Sequence, residues 1–244
     1  MKKWLALAAT AVLGASLLIS GCGSSTNNAS SSGSKEVLKV AANPVPHAEI
    51  LEQVKPILAK EGVDLQIVEF TDYIQPNMAL SSHEVDANFF ANVPYQNNYN
   101  KDHGTNFVSF APVHIEPLAI YSQKIKDLKD LPNGAKVAIP SDPTNSARAL
   151  LLLQSAGLVT LKDPTGLTNT PFDVTSNPKN IQITELEAAQ IPRSIQDLDA
   201  AVINANYALP AGLNPTKDGL FVEKADSPYA NLLSVNPGDE NKPA

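Results

Sequence analysis

The stretch KVAIPSDPTNSARALLLLQSAG, residues 136–157, decides the fold class. It opens with a short apolar run of strand length, residues 136–139. Ser141-Asp142-Pro143-Thr144-Asn145 then has the composition that caps and starts a helix. Ala147, Leu150, Leu151 and Leu153 follow at helical spacing, and Gly157 supplies the residue on which a helix ends. A strand passed to a helix through a polar turn is half of a βαβ unit, and units of that kind build mostly parallel sheets.

The same alternation extends in both directions. Short β-branched or apolar runs occur at residues 37–41, 65–70, 86–90, 107–113, 181–186 and 199–203. Between the first two, Ile50, Val54, Ile57 and Leu58 are spaced as on one helix face, with Pro56 expected to kink the segment. Polar or proline-containing segments recur where the strands end, at residues 43–47, 71–73, 92–95, 114–117 and 141–145. Ligands of parallel α/β sheets sit at the carboxyl ends of the strands, so this placement gathers the unusual polar and aromatic residues around one crevice.

The amino terminus reads as a targeting segment. Lys2 and Lys3 precede an uncharged apolar run, residues 4–19, that is short for a span of roughly 20 residues. Ser20-Gly21-Cys22 follows, with the only cysteine of the 244 residues, and it resembles a bacterial lipobox. The reading is a signal peptide over residues 1–21 and a lipidated Cys22, the alternative being an uncleaved anchor. Residues 22–35 comprise that cysteine and a Gly, Ser, Asn and Thr tether too polar to order itself, reaching about 20 Å as a flexible coil. A disulfide within the chain and a cysteine-based metal site are excluded. The formal charge is −7, and more negative without the two signal lysines, so nucleic acid is not an expected partner. The length left over suits two modest α/β lobes.

No Gly-x-Ser-x-Gly, His-Glu-x-x-His or Gly-x-x-x-x-Gly-Lys motif occurs, which argues against an enzyme. The histidines His47, His83, His103 and His114 are scattered. His114 has a carboxylate two residues on, Glu116, but too few further ligands can be placed nearby, so neither a metal nor a cofactor is expected. At the start of the 144–157 helix, Asn145, Ser146 and Arg148 could converge on an anion such as a carboxylate. Equally, Asn145 could cap the helix and Arg148 lie on its solvated face. Phe89, Phe90, Tyr95 and Tyr99 fit either a core or a pocket.

Several segments together resemble the methionine-binding lipoprotein family, the NlpA-type substrate-binding components of methionine ABC importers. They are VEFTDY (68–73) with Pro76-Asn77, DANFF (86–90) with Pro94-Tyr95, APVHIEP (111–117), AIPSDPTNSAR (138–148), AVINANY (201–207) and DGLFVEKADSPY (218–229). The resemblance implies a periplasmic-binding-protein fold, type II-like, with two α/β lobes joined by two crossover strands around a ligand cleft. Lobe 1 would comprise residues 36–115 plus 208–244 and lobe 2 residues 116–207, with crossings near 116–121 and 204–212. By the same likeness Arg148 and Asn145 hold the carboxylate of the amino acid, Asn204 and Glu116 address its amino group, and Tyr73, Phe89, Tyr95 and His114 line the thioether pocket. The implied function is capture of methionine, the L-isomer foremost, at the extracytoplasmic face of the cell membrane and delivery to an ABC permease. A related amino acid, a methionine-containing dipeptide or a lipid-anchored enzyme is the alternative. Two positions depart from the family, Asn92 where histidine is common and Gln96 where leucine is. The family also continues past Ala244 into a helical segment, without which the first lobe is expected to lose apolar cover.

Overall fold

Val40, Ala41 and Ala42 are buried in succession, so the first strand is covered on both faces as a parallel sheet requires. The computed structural model describes residues 36–225 and 227–242. The signal segment, Cys22 and the tether lie outside the described residues. Strands β1 (Glu36–Ala42), β2 (Val63–Glu69), β3 (Ala87–Asn92) and β4 (Val108–Ile115) belong to one sheet. The chain then supplies a second sheet with β5 (Leu118–Tyr121) and β6 (Lys136–Pro140), and a small hairpin, β7 (Thr160–Leu161) with β8 (Val174–Ser176). To that second sheet it adds β9 (Gln182–Leu186), β10 (Ala200–Asn204) and β11 (Phe221–Val222). Strand β12 (Ala230–Val235) returns to the first.

The orders are β2-β1-β3-β12-β4 and β11-β5-β10-β6-β9. Within the first sheet β1 runs parallel to β2 and β3, and β12 lies antiparallel between β3 and β4. The second keeps β6 parallel to β9 and β10, with β5 antiparallel to both its neighbours, β10 and β11. The expected α/β class and two-lobe architecture are therefore present, and the antiparallel strands are those next to the crossings. The outward crossing falls at Glu116 and Pro117, between β4 and β5. The return does not fall at residues 204–212: β11 still pairs with β5, so the chain leaves the second sheet only after Val222 and rejoins the first at Ala230. The expected boundary at residue 208 is corrected accordingly. Ala208 packs in a second-sheet core, which is why the chain stays there.

Among the described residues, seven α-helices cover the sheets: α1 (Glu49–Lys60), α2 (Gln75–Ser81), α3 (Val93–His103), α4 (Pro143–Ser155), α5 (Ile191–Ser194), α6 (Ala205–Ala208) and α7 (Pro215–Asp218). Helix α1 runs through Pro56, which is exposed, so the carbonyl left without a partner one turn earlier lies on the solvent side. Asp142 caps α4 by accepting from the Asn145 amide at 2.9 Å, and Gly157 just beyond its end takes φ +75°, a conformation a Cβ would disfavour. Alternation along the second-sheet strands sends Leu118, Ile120, Val137 and Ile139 to the α4 side and Ala119, Tyr121, Ala138 and Ile203 to the α5 side.

Leu150 is fully buried between α4 and the second sheet, whereas Phe172 is 98 % exposed. Leu150→Ala is expected to cost about 2–5 kcal/mol of unfolding free energy. Phe172→Ala should stay within about 0.5 kcal/mol. Urea denaturation of the two variants checks the contrast.

Candidate functional site

Three strands end on asparagine or on a capped helix at the same place. Strand β3 ends at Asn92, whose side chain accepts from the Tyr95 amide at 2.9 Å and caps α3. Strand β6 ends next to Asp142 and the cap of α4, and β10 ends at Asn204 before α6. The carboxyl ends of both sheets thus face one small cavity, whose empty space is ≈ 320 Å³ with the open mouth included.

Tyr73, Tyr95, Glu116, Asn145, Arg148 and Asn204 all line it, so six of the expected site residues are brought together. Phe89 and His114 do not line it. Phe89 is 1 % exposed and packs into the first-lobe core beside Val40 and Leu65. Its neighbour Phe90, on the opposite face of β3, lines the cavity and stacks with Tyr73 at 6.0 Å. A strand alternates faces at every residue, and Phe-Phe reads the same in either phase. His114 sits behind the wall, its Nε2 2.9 Å from Glu116 Oε1 and its ring edge-on to Phe89. Tyr99 belongs to the core under α3.

Arg148 is 4 % exposed, and its guanidinium is held from three directions. Nε donates to Glu223 Oε1 at 2.9 Å and Nη2 to Glu223 Oε2 at 2.5 Å. Nη2 also donates to the Glu116 carbonyl at 2.7 Å, and the Tyr229 ring covers the group at 4.3 Å. Nη1 has no hydrogen-bond partner among the described residues, and Arg148 lines the cavity. Arg148 is therefore not on a solvated helix face, one of the two readings left open by the sequence. Asn145 donates its side-chain nitrogen to the Asp142 carboxylate and accepts from Asn204 Nδ2 at 2.8 Å, so its side chain orients Asn204, while the helix cap itself is Asp142 and not Asn145. The remaining Asn204 oxygen is buried and has no protein partner among the described residues.

Glu116 Oε1 receives His114 Nε2 at 2.9 Å and Asn231 Nδ2 at 3.2 Å, and His47 Nε2 stands 2.9 Å away outside the hydrogen-bonding direction. Burial alone would raise this carboxyl, but the two imidazoles outweigh it and bring it down from an ordinary 4.5 to about 2. His47, His114 and Glu116 offer ligand-type atoms within 4.8 Å of one another, a grouping the spacing of the histidines did not reveal. Burial also raises the phenols of Tyr73 and Tyr95 well above their ordinary range. Both act as neutral donors: Tyr73 to the Asn206 side-chain oxygen and Tyr95 to the Tyr73 carbonyl, each at 2.6 Å.

Sequence reasoning did not find His47, Phe90, Asn206, Asn231 or Glu223. Of these, Asn206 lay inside AVINANY and Glu223 inside DGLFVEKADSPY, whereas nothing local marks Asn231. The two departures from the family have separate physical roles. Asn92 lines the cavity, while Gln96 is buried away from it and accepts from Ser234 Oγ at 3.1 Å.

Residues 38–244 match the model of the NlpA lipoprotein family, and the chain belongs to that family. It is 44% identical over 246 residues to the D-methionine-binding lipoprotein MetQ of Salmonella typhimurium, covering 99% of this chain and 88% of the relative. Among solved structures, a nutrient binding protein from Burkholderia cenocepacia bound to methionine superposes with a TM-score of 0.82 at 48% identity, over 84% of this chain and 87% of that one. A periplasmic substrate-binding protein of an ABC transporter from Coxiella burnetii gives 0.81 at 44% identity, again over 84% and 87%.

Because Glu116 ionises at a lower pH folded than unfolded, the stability it contributes is complete above about pH 4.5 and is lost as pH falls towards about 2. Glu116→Gln should flatten that part of the stability profile, lowering stability most at neutral pH and least near pH 2. Denaturant titrations at stepped pH between 2 and 6 would show whether the slope belongs to this residue.

Proposed function

We propose that this chain is an extracytoplasmic solute-binding lipoprotein that encloses one methionine, the L-isomer foremost, between its lobes and delivers it to an ABC permease. The observation that carries this reading is the pairing of opposite poles across one small cavity. Arg148 Nη1 offers a donor with positive charge at one place. Glu116 and the Asn204 oxygen offer acceptors at another. A zwitterionic amino acid meets both poles at once, whereas an acid or an amine alone would leave one unmet.

The side-chain end of the ligand then falls to Tyr73, Phe90 and Tyr95, whose rings lie 5.7–6.0 Å apart. Aromatic edges suit a polarizable thioether, which accepts hydrogen bonds only weakly. The names of the relatives support this ligand and the importer, and the absence of an activated nucleophile motif favours binding over turnover. Attachment to the membrane rests on Cys22 carrying lipid, with the polar segment after it acting as a tether.

Titration calorimetry on ligand-stripped protein tests the carboxylate end. Arg148→Ala should weaken L-methionine binding by roughly 2–5 kcal/mol, and Arg148→Lys should recover only part, because an ammonium lacks the planar fork. Asn204→Ala removes a neutral partner and should cost on the order of 1–3 kcal/mol. Unaltered affinity in Arg148→Ala would sink the assignment. For the anchor, Cys22→Ser should abolish membrane association after a high-salt wash while leaving methionine binding intact; continued partitioning into the membrane fraction would point to an uncleaved anchor.

A further inference from the structure

Glu223 stands immediately before the return crossing, and its surroundings tie that crossing to the outward one. Its amide donates to the Leu118 carbonyl at 2.8 Å, and its carboxylate accepts from the Leu118 amide at 3.3 Å. Leu118 is the first residue after the outward crossing. The same carboxylate takes two parallel donors from Arg148, and Arg148 reaches back to the carbonyl of Glu116. At the far end of the return crossing, the Tyr229 ring lies over the guanidinium. One side chain from α4 therefore bears on both connections between the lobes.

Two-pronged engagement fixes a guanidinium in plane and in rotation, because both donors on that edge are committed. With Nε and Nη2 held by Glu223, the position of Nη1 is fixed as well, on a residue that lines the cavity. We propose that Glu223 is a positioning residue for ligand capture: it aims Arg148 at the ligand carboxylate and fixes that aim to the hinge, so that the carboxylate subsite is assembled only in the lobe arrangement seen here. The inference rests on the methionine reading above. Glu223 itself does not touch the ligand.

A positioning role differs from a general structural one in depending on the planar fork. Lysine at position 148 is a swivelling point charge that gains little from being aimed. The experiment is a cycle of four proteins, with and without Glu223→Gln, in the Arg148 and in the Arg148→Lys background, each titrated with L-methionine and melted without ligand. In the Arg148 background Glu223→Gln should weaken binding at least about tenfold, the loss of one charge-assisted contact. In the Arg148→Lys background the same change should stay within about threefold. Equal losses in the two backgrounds, or no loss in the first, would overturn the proposal. Should Glu223→Gln fail to fold, Glu223→Asp takes its place in the same cycle, since it keeps the buried cation paired but draws the carboxylate back by one methylene. Absence of methionine binding by the unaltered protein would instead refute the ligand reading, and is seen before any variant is compared.

Discussion

A guanidinium removed from water has to recover its hydration from the protein, and Arg148 does so with a carboxylate, a backbone carbonyl and an aromatic face. The rest of the cleft is arranged around that requirement. Burying the positive charge needs Glu223, and Glu223 needs β11 to remain on the second sheet until Val222. That is why the return crossing comes as late as it does. The carbonyl that completes the set belongs to Glu116, whose side chain turns the other way to meet His114 and Asn231. A single residue of the outward crossing thus presents its backbone to the positive pole and its carboxylate to the negative one.

The negative pole is held just as firmly. A buried carboxylate in the open interior would tend to be protonated, and a neutral acid is a poor partner for an ammonium. Two imidazoles and an asparagine keep Glu116 ionised. Asn145 does comparable work for Asn204, committing one amide to the cap of α4 and one oxygen to its neighbour, so that the free oxygen of Asn204 has a fixed direction. Both poles are therefore oriented by protein partners of their own in this arrangement of the lobes, which lowers the side-chain ordering that binding requires.

What was legible in the sequence follows from how local the signal is. The strands of residues 136–139 and 199–203 and the helix after Asp142 are fixed by patterns within a dozen residues, and they occur within one or two residues of expectation. The α/β class and the crevice follow from their order alone. Strand β12 does not declare itself, because its antiparallel place between β3 and β4 is a long-range pairing that no local pattern encodes. The same limit explains the site. Arg148, Asn204 and Glu116 stand in motifs that resemblance could place, but the choice between Phe89 and Phe90 depends on the phase of β3, and His47 and Asn231 reach Glu116 only through the tertiary fold.

Those long-range contributions decide selectivity more than the motifs do. Tyr73 bridges to Asn206, on the element that follows β10, while its ring stacks on Phe90 from the first sheet and packs 5.0 Å from Tyr207. The aromatic wall of the side-chain pocket therefore spans the cleft, as the charged poles do. A ligand whose side chain is too short leaves these rings without contact, and one whose side chain is branched or charged separates them or brings an unpaired charge among neutral phenols. A long, unbranched, weakly polar side chain meets neither penalty. On the proposed reading, the charged ends select an amino acid, and the aromatic wall that spans the cleft selects among amino acids.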